Sequence, residues 1–460
     1  MTFDILLDLA VEKIRIDFGD FIASLFRIIS INHTCFLDQL VEILSHIPYK
    51  TIRIGIITLF QYNLIFLENF ESCTNLFGEK LHLTRLSTII SEAIYRLRYP
   101  RFIALIEYDY GFYGASIIRS IVNSGQLYLS SIIKNFCMQS LNTVGVVEDI
   151  LIHMARDKLI IQSDTILKPT HYLNSNKKKN NSNCFDCKPI FKSKYSPWKI
   201  FTKMFNFRLK MNILFSLLQE YQNFQTKYLI KFYMSKLLTI NFPLGRELWF
   251  SIDSIADFCR DGIVDISLKE KFIMSSIENF CFIDQYIELK KFFLKVNIKD
   301  LLSFFREKFI ENLIVNQFGK KFGIIFKILT IKKSHEEKEL INKSGFKSFQ
   351  AKTILYHMHR MGFVFLEDSE ISQKNPKHIR FWKIELGLIS KKLTICIIKS
   401  IYNLIIRLEN YHWILKKLFE TENFTYCNDI SLKNKAFLEK IRIINFTLFR
   451  IDEILNLLYL

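Results

Sequence analysis

Hydrophobic residues recur at helical spacing along most of the chain, and short apolar runs and polar loops interrupt them. Phe3–Arg15 has this spacing, and Asp17 can cap a following helix at Phe18–Ile29. A short helix is predicted at Leu37–Leu44. A longer one at Pro48–Asn63 carries its Pro in the first turn, where no hydrogen bond is lost. The pattern predicts a mainly helical chain.

Strands follow this first group of helices. The apolar run Leu64–Glu68 predicts a strand, the polar stretch Asn69–Lys80 predicts a loop, and a returning strand is expected after it. Three helices followed by a β-hairpin are the parts of a winged helix, a fold whose third helix usually reads DNA and whose hairpin is the wing. The predicted fold class is therefore mainly α with small β wings.

The chain repeats this pattern 300 positions later. Asp17–Ser30 reads DFGDFIASLFRIIS and Gln317–Thr330 reads QFGKKFGIIFKILT, with Phe, Gly, Phe and Ile in register. An internal repeat of this length indicates duplicated supersecondary units rather than chance. The repeat continues beyond this stretch, with a shift of one residue in its register. It predicts helices at 337–342 and 348–361, a strand at 363–368, a loop at 369–379 and a second strand at 380–384.

Two further copies carry a weaker signal. Gly114–Phe136 predicts helix, turn and helix, and it is followed by a helix at Val146–Lys158 and a strand at Leu159–Gln162. Trp198–Leu218 opens another helical set, which closes near Phe280–Val296. These segments bring the expected number of winged-helix units to four.

The C-terminal region has the apolar spacing of a coiled coil. Alternating steps of four and three residues run along two arms, which the polar stretch Glu420–Asn434 separates. Arms of similar length favour an antiparallel hairpin within one chain over pairing between chains. The predicted seam consists of Ile397, Ile401, Leu404, Leu408, Tyr411, Leu415 and Leu418 in the first arm, and Phe437, Ile441, Ile444, Leu448, Ile451, Leu455 and Leu458 in the second.

Together these patterns predict four tandem winged-helix domains, a linker and a C-terminal coiled-coil hairpin. The linker is rich in Asn, Lys and Ser and has neither helical nor alternating periodicity, so it is expected to be flexible. The predicted boundaries are 1–80, 81–173, 198–297 and 298–388 for the winged helices, 174–197 for the linker and 389–460 for the coiled coil.

The net charge of the chain favours a location near nucleic acid. The chain has 63 Lys and Arg against 45 Asp and Glu, a net charge of +18 that favours a polyanionic partner. The codon bias of an AT-rich genome is an alternative source of this charge, as solvated Lys, so the charge alone does not establish contact. Basic residues on the predicted third helices can contact phosphates, but these helices lack the Arg, Asn and Gln density of base readers, and docking to proteins is the alternative use. The candidates are Lys50, Arg53, Lys347, Lys352, His357 and Arg360.

No sequence motif calls for an enzyme, a metal or a cofactor. Asp17-Phe18-Gly19 spells the metal-binding signature of protein kinases, but no Gly-rich loop, strand Lys or His-Arg-Asp loop precedes it. We therefore interpret Gly19 as a break or close packing point between two helices, and Asp17 as incidental. His357 and His359 lie two residues apart, on different helix faces, so joint metal ligation is not expected.

The cysteines and the apolar runs indicate in which cellular compartment the protein is expected. Cys184-x-x-Cys187 has metal-like spacing without the second pair that a tetrahedral zinc site needs. The nine Cys are scattered and odd in number, which suits a reducing compartment. The longest apolar run, Ile54–Leu67, contains Gln61 and Asn63 and is too short to span a membrane. We expect a soluble intracellular protein.

Several phrases carry a resemblance to a known family. In this order and spacing they resemble the largest subunit of the three-subunit subcomplex specific to RNA polymerase III, and the likeness covers nearly the whole chain. LRYPRF is its most specific piece. The phrases are IRIDFGDFIASLF (Ile14–Phe26), QYNLIFL (Gln61–Leu67), LRYPRFI (Leu97–Ile103), IVNSGQLYLSSIIKNF (Ile121–Phe136) and NQFGKKFGIIFKILTIKKSHEEKEL (Asn316–Leu340).

The resemblance implies a non-catalytic nuclear subunit with tandem winged helices and a C-terminal coiled coil, docked on the polymerase clamp. Its family helps to form the initiation complex and to open promoter DNA for transfer RNA, 5S RNA and other short structured RNAs. The implied partners are the two smaller subunits of the trimer, the largest catalytic subunit, the polymerase III initiation factors and promoter DNA, bound weakly and without sequence specificity. This chain departs from the family in its short central linker.

Two alternatives remain. The large subunit of the polymerase II general factor E combines a winged helix with a four-Cys zinc ribbon, of which Cys184 and Cys187 would be half. A winged-helix interaction scaffold of a ubiquitin-pathway assembly is the other alternative, from a different functional class. Zinc content tests the first alternative, and the subunits that co-purify with the chain test the second.

Overall fold

The structure, a computed structural model, is mainly helical with small antiparallel sheets, which confirms the predicted fold class at this level. The chain divides into two compact units, Met1–Leu209 and Lys210–Leu460. None of the helices described here has the length and apolarity needed to cross a membrane. The described residues are 2–32, 35–74, 80–137, 142–163, 196–221, 248–251, 287–290, 293–296, 298–332, 334–370, 378–421 and 428–458.

The first group of elements, which we call the N-terminal repeat, packs four helices against a small sheet. Its short strand β1 pairs with β3, and β3 pairs with β2, so the returning strand of the hairpin is central. Phe26, Leu40, Ile52, Leu59 and Leu86 are fully buried in its core. The elements are α1 (Thr2–Phe18), α2 (Asp20–Ile31), β1 (Cys35–Phe36), α3 (Leu37–Ile43), α4 (Tyr49–Gln61), β2 (Ile65–Thr74) and β3 (Lys80–Thr88).

The middle repeat follows the same order. Its sheet pairs β4 with β5, and Leu127 bridges to Trp198 in the position that β1 occupies in the N-terminal repeat. Trp198–Ile200 was predicted to open a helix, and this prediction is wrong, because these residues pair with Ile160–Gln162 across the predicted linker. The elements are α5 (Ile90–Tyr95), a 3-10 turn (Arg96–Arg98), α6 (Tyr99–Ser124), α7 (Leu129–Cys137), α8 (Asn142–Arg156), β4 (Ile160–Gln162) and β5 (Trp198–Ile200).

The second compact unit contains the C-terminal repeat, whose elements match those of the N-terminal repeat one by one. Its sheet again has the returning strand β11 in the centre, between β10 and β9. Before it come α9 (Thr202–Tyr221), which straddles the division at 209, and the three-stranded sheet of β6 (Leu248–Ser251), β7 (Ile287–Lys290) and β8 (Phe293–Val296). The repeat consists of α10 (Ile298–Phe318), α11 (Lys320–Ile331), β9 (Ser334–Glu336), α12 (Glu337–Ser344), α13 (Ser348–Met361), β10 (Phe365–Glu370) and β11 (His378–Lys383).

Two long helices, α14 (Leu386–Thr421) and α15 (Asn428–Leu458), pack against each other within the chain. The ring of Tyr411 lies 5.9 Å from that of Phe437, which brings the end of the first helix to the start of the second. All fourteen residues of the predicted seam are buried or half-buried. Ile398 and Ile405 are also buried and were absent from the predicted seam.

A glycine interrupts the helical path in all three repeats, between α1 and α2, inside α6, and between α10 and α11. Gly19, Gly111 and Gly319 have φ values of 92°, 69° and 95° and ψ values of 172°, −167° and 168°. Side chains are excluded from this region of the backbone map, so glycine is required there. The predicted helix break at Gly19 is confirmed, whereas close packing is not, because a Cβ at Gly19 would meet no atom within 4 Å.

Asp17 does not cap the following helix, and its prediction as an incidental residue is also wrong. Helix α2 begins at Asp20 with Gly19 as its N-cap and has no side-chain cap. Instead the Asp17 carboxylate accepts a 2.6 Å hydrogen bond from Arg96 and pairs with Lys13 at 2.7 Å. The Arg96 guanidinium also lies over the rings of Phe18 and Tyr62, at 4.7 and 5.2 Å from their centroids. Arg96 thus ties the end of α1 to the end of α4.

The middle repeat contains the same arrangement, which the sequence-based prediction missed because its first helix in this unit was placed from Gly114 onward, after Asp109. Arg208, which is buried, pairs with Asp109 at 3.1 Å and with Asp157 at 2.9 Å. Asp109 lies two residues before Gly111, as Asp17 does before Gly19. Arg208 lies eight residues after the end of its sheet, as Arg96 does. Burial raises the pKa of Asp109, and the Arg208 charge opposes that shift.

In the C-terminal repeat a lysine takes this place. Position 317 is Gln and offers no carboxylate, and Lys392 of α14 donates a hydrogen bond to the Met361 carbonyl at the end of α13. Gly362 lies beneath this lysine, since a Cβ at Gly362 would meet the Lys392 side chain. In each of the three repeats, a cation from the helical segment after the sheet therefore contacts the end of the helix that precedes the hairpin of that repeat.

Replacing the junction glycine should destabilise the C-terminal repeat. We expect Gly319→Ala to lower the free energy of unfolding by about 1–3 kcal/mol, because Ala is strained at φ 95°. Gly387→Ala, at a helical position of α14 where a Cβ meets open space, is the matched control and should be neutral or slightly stabilising. Urea unfolding of the full chain measures both; equal losses in the two variants would contradict the prediction.

Removing the Arg96 side chain should destabilise the N-terminal repeat. Arg96 and Asp17 have only 9% and 17% of their side chains exposed, so Arg96→Ala leaves a largely buried carboxylate with one remaining partner. We expect a loss on the order of 3 kcal/mol. The control is Arg27→Ala, which breaks the exposed 3.0 Å pair with Asp8 and should cost less than about 1 kcal/mol. Thermal unfolding that ranks the two variants in the opposite order would refute the role of Arg96.

Candidate nucleic-acid interface

Helices α4 and α13 hold the candidate basic residues, and they bury equivalent faces. Four positions of each helix contact the core at the spacing of one helical stripe. After each helix a residue with positive φ turns the chain into the hairpin, Asn63 in one repeat and Gly362 in the other. This match confirms the predicted slippage of one residue. The buried pairs are Ile52 with Ala351, Gly55 with Ile354, Ile56 with Leu355 and Leu59 with Met358.

The outward face of α4 is largely apolar. Lys50 and Arg53 are exposed, as the sequence predicted, but Ile54 and Ile57 are exposed beside them, at 56% and 52%. At 100° per residue, Lys50, Ile54 and Ile57 share the side opposite the core. A surface with two isoleucines at its centre suits contact with a protein better than contact with a phosphate backbone.

The C-terminal end of α4 is covered by the segment that ends α6. Gln61 Nε2 donates to the Ser124 carbonyl at 2.8 Å, and the Tyr62 hydroxyl donates to the Asn123 carbonyl at 2.5 Å. Gly125 fits against the Gln61 carbonyl, where a Cβ would come within 2.4 Å. The accessible part of α4 is therefore its first two turns, around Lys50 and Arg53.

The candidates on α13 occupy different environments. Lys347 is exposed at the N-cap position, and Arg360 is exposed in the last turn. Lys352 pairs with Glu337 at 2.9 Å, and this hydrogen bond raises the pKa of Lys352. Since Glu337 offsets its charge, Lys352 offers less to a phosphate than Arg360 does.

His357 packs against the junction between α10 and α11. Its exposed ring lies 5.4 Å from the ring of Phe318 and 5.6 Å from that of Phe322. His359 is separate from it, with Nδ1 3.0 Å from the Val364 carbonyl oxygen. The two histidines therefore serve different contacts, and His357 marks the line along which α11 and α13 meet.

Glu339 of α12 lies against two lysines and a histidine. Its carboxylate lies 2.9 Å from Lys343, 3.1 Å from His335 Nδ1 and 3.5 Å from Lys332. The hydrogen bond from Lys343, then that from His335, and the charge of Lys332 lower the pKa of Glu339 to about 2. His335 is itself buried, with Nε2 3.3 Å from the Ile328 carbonyl oxygen. This cluster ties α12 to β9 and to the end of α11.

Stability of the C-terminal repeat should depend on this carboxylate in acid. Because the pKa of Glu339 is lowered from 4.5 to about 2, its contribution is complete above pH 4.5 and is lost as the pH falls towards 2. We expect Glu339→Gln to lower stability at neutral pH and to flatten the loss between pH 4.5 and 2. Unfolding midpoints across this range test it, with the exposed Glu42→Gln as control; identical profiles for the two variants would contradict the prediction.

Within the described ranges, no group of three or more His, Cys, Asp and Glu is placed to hold a metal ion. Cys184 and Cys187 lie outside the described residues. A small polar cavity beside Arg96, lined also by Glu92, Tyr99 and Thr202, has a volume of about 10 Å³. That is room for about one water molecule and far less than a cofactor needs.

Comparison with known proteins finds no match for this chain, either among protein-family models or among curated proteins. The LRYPRF phrase, the most specific piece of the resemblance, has a structural role here: Arg98 is buried and donates to Asn206 at 2.8 Å. Five exposed side chains of α11 and α13 were absent from the sequence-based candidates. They are Lys320, Lys321, Lys327, Phe349 and Tyr356, and comparing the two repeats position by position would have found them.

Proposed function

We propose that this chain is a non-catalytic subunit of DNA-directed RNA polymerase III, the largest of its specific three-subunit subcomplex. It would act in the nucleus, docked on the polymerase clamp, in transcription initiation and promoter opening at tRNA, 5S rRNA and other small RNA genes. The observation that carries the proposal is the tandem arrangement of three like units, each with helices leading to a hairpin whose returning strand is central. That order agrees with the phrases that resemble the family.

The finer fold assignment belongs to the same proposal. We assign the N-terminal, middle and C-terminal repeats as winged helices, because helices followed by a small antiparallel hairpin define that fold. A fourth unit, predicted at 198–297, is assigned from sequence to the residues after Ile200, since Trp198–Ile200 belongs to the sheet of the middle repeat and most of the rest lies outside the described residues. Helices α14 and α15, with their apolar seam, are assigned as an antiparallel coiled-coil hairpin.

The partners follow from the resemblance. They are the two smaller subunits of the trimer, the largest catalytic subunit and the polymerase III initiation factors. Promoter DNA would be bound weakly and without sequence specificity, since the exposed basic residues of α4 and α13 can neutralise phosphates but these helices lack the Arg, Asn and Gln density of a base reader. The chain would contribute position and charge, while the polymerase performs the chemistry.

Capture of a tagged full-length chain from its own cells tests the proposal most directly. We expect the RNA polymerase III subunits to co-purify, including both smaller members of the trimer. Recovery of polymerase II with the small subunit of general factor E, together with bound zinc, would replace the proposal with the first alternative. Recovery of ubiquitin-pathway subunits would replace it with the second.

Charge reversal tests the role at the promoter. Changing Lys50, Arg53, Lys347, Lys352 and Arg360 together to Glu should weaken promoter opening in reconstituted transcription and leave trimer assembly intact, because these side chains are exposed. Permanganate reactivity of unpaired thymines measures opening, and gel filtration measures assembly. Unchanged opening with an intact trimer would reject DNA contact by these helices.

A further inference from the structure

The N-terminal and C-terminal repeats share a fold but differ in charge. Residues 18–61 contain three Lys and Arg and three Asp and Glu, whereas residues 318–361 contain ten Lys and Arg and three Glu. Both segments come from one gene, so a genome-wide codon bias acts on them equally and does not explain the difference. The C-terminal repeat has gained positive charge that the shared fold does not require.

The second helix of each repeat shows where that charge lies. On α2 the outward face carries Asp20 and Arg27, and Asp8 offsets Arg27 through a 3.0 Å pair. The equivalent positions on α11 are Lys320 and Lys327, both exposed. The counterpart of Asp8 is Lys308, which pairs with Glu311 at 2.9 Å and cannot offset a lysine.

The basic end of α11 lies beside α13. Because the His357 ring contacts both Phe318 and Phe322, the first turn of α11 is adjacent to the second half of α13. The first turn of α11, which carries Lys320 and Lys321, therefore lies beside His357. Among the described acidic residues, none forms an ion pair with Lys320, Lys321, Lys327, Lys347 or Arg360.

The outward face of α13 also carries aromatic rings. Phe349 and Tyr356 are 81% and 47% exposed, seven residues apart and hence on one face, which Arg360 shares. The equivalent positions on α4 are Lys50 and Ile57. Exposed rings among cations can stack on bases, a combination typical of nucleic-acid surfaces; an acidic protein segment would need the cations alone.

We propose that the C-terminal repeat is the part of this chain that binds the phosphates of DNA. Lys320, Lys321, Lys327, Lys347 and Arg360 supply the charge, and the N-terminal repeat presents an apolar face instead. The inference rests on the proposed function for the identity of the polyanion. The sequence-based candidates for DNA contact lie on α4 and α13, one helix in each repeat. The inference places the contact on α11 and α13 of the C-terminal repeat alone.

Fluorescence anisotropy of the full-length chain with labelled DNA of arbitrary sequence, single-stranded and duplex, over a series of salt concentrations tests the proposal. K320Q/K321Q/K327Q should weaken binding on the order of tenfold at low salt and reduce the slope of log K against log salt by about 2–3, since each lost phosphate contact lowers it by 0.7–0.9. All three lysines are exposed, so the unfolding midpoint should stay at the wild-type value.

Two other variants locate the site. R119Q/K134Q/R156Q removes the same charge from exposed positions of the middle repeat and should change the slope by less than one. K50Q/R53Q should also have a small effect if the C-terminal repeat binds DNA. A slope reduced as much by either variant as by the α11 variant would overturn the proposal. Equal competition by polyglutamate at matched charge would also overturn it, in favour of an acidic protein.

The outcomes separate this inference from the proposed function. A chain that binds DNA through α11 but purifies without RNA polymerase III supports the inference and contradicts the proposed function. A chain that purifies with the polymerase while K320Q/K321Q/K327Q binds DNA as the wild type does contradicts the inference alone. A wild-type chain with no measurable DNA affinity at low salt also contradicts the inference.

Discussion

The described repeats depend on one contact, in which a cation from the helix after each sheet reaches back to the unit before it. Arg96 contacts Asp17 and Tyr62, Arg208 contacts Asp109 and Asp157, and Lys392 contacts the Met361 carbonyl. The glycine junction turns the chain between the first two helices, and the cation fixes the end of the helix that leads into the hairpin. Where the carboxylate is absent, at Gln317, the lysine uses a backbone carbonyl at the helix C-terminus, where a positive charge is favourable.

This contact also explains why the repeats occur in tandem. The helix that supplies the cation is the one that leads into the next segment, so each unit is completed by residues beyond its own sheet. Cutting the chain after β3 or β5 would leave Asp17 or Asp109 without its arginine. The same dependence makes the sheet boundaries a poor guide to where one folding unit ends and the next begins.

The repeats share one fold, but the exposed faces of their helices differ. The core positions of α4 and α13 are buried in both helices, whereas their outward positions differ in kind: Ile57 in one is Tyr356 in the other, and Asp20 on α2 is Lys320 on α11. Packing constrains only the buried stripe of a helix, so the exposed stripe is free to diverge towards different partners. One fold can in this way offer an apolar face and a basic face within the same chain.

The sequence by itself determined the helices, the hairpins and the repeat, because helical periodicity, turn residues and glycine positions are local properties. Ser348–Met361 and the break at Gly19 were predictable for that reason. Only the tertiary structure decided which charges remain available: Asp17 meets Arg96 across 79 positions, Glu337 offsets Lys352, and Trp198–Ile200 is a strand because Ile160–Gln162 pairs with it. Such pairings join residues distant in sequence, and periodicity carries no information about them.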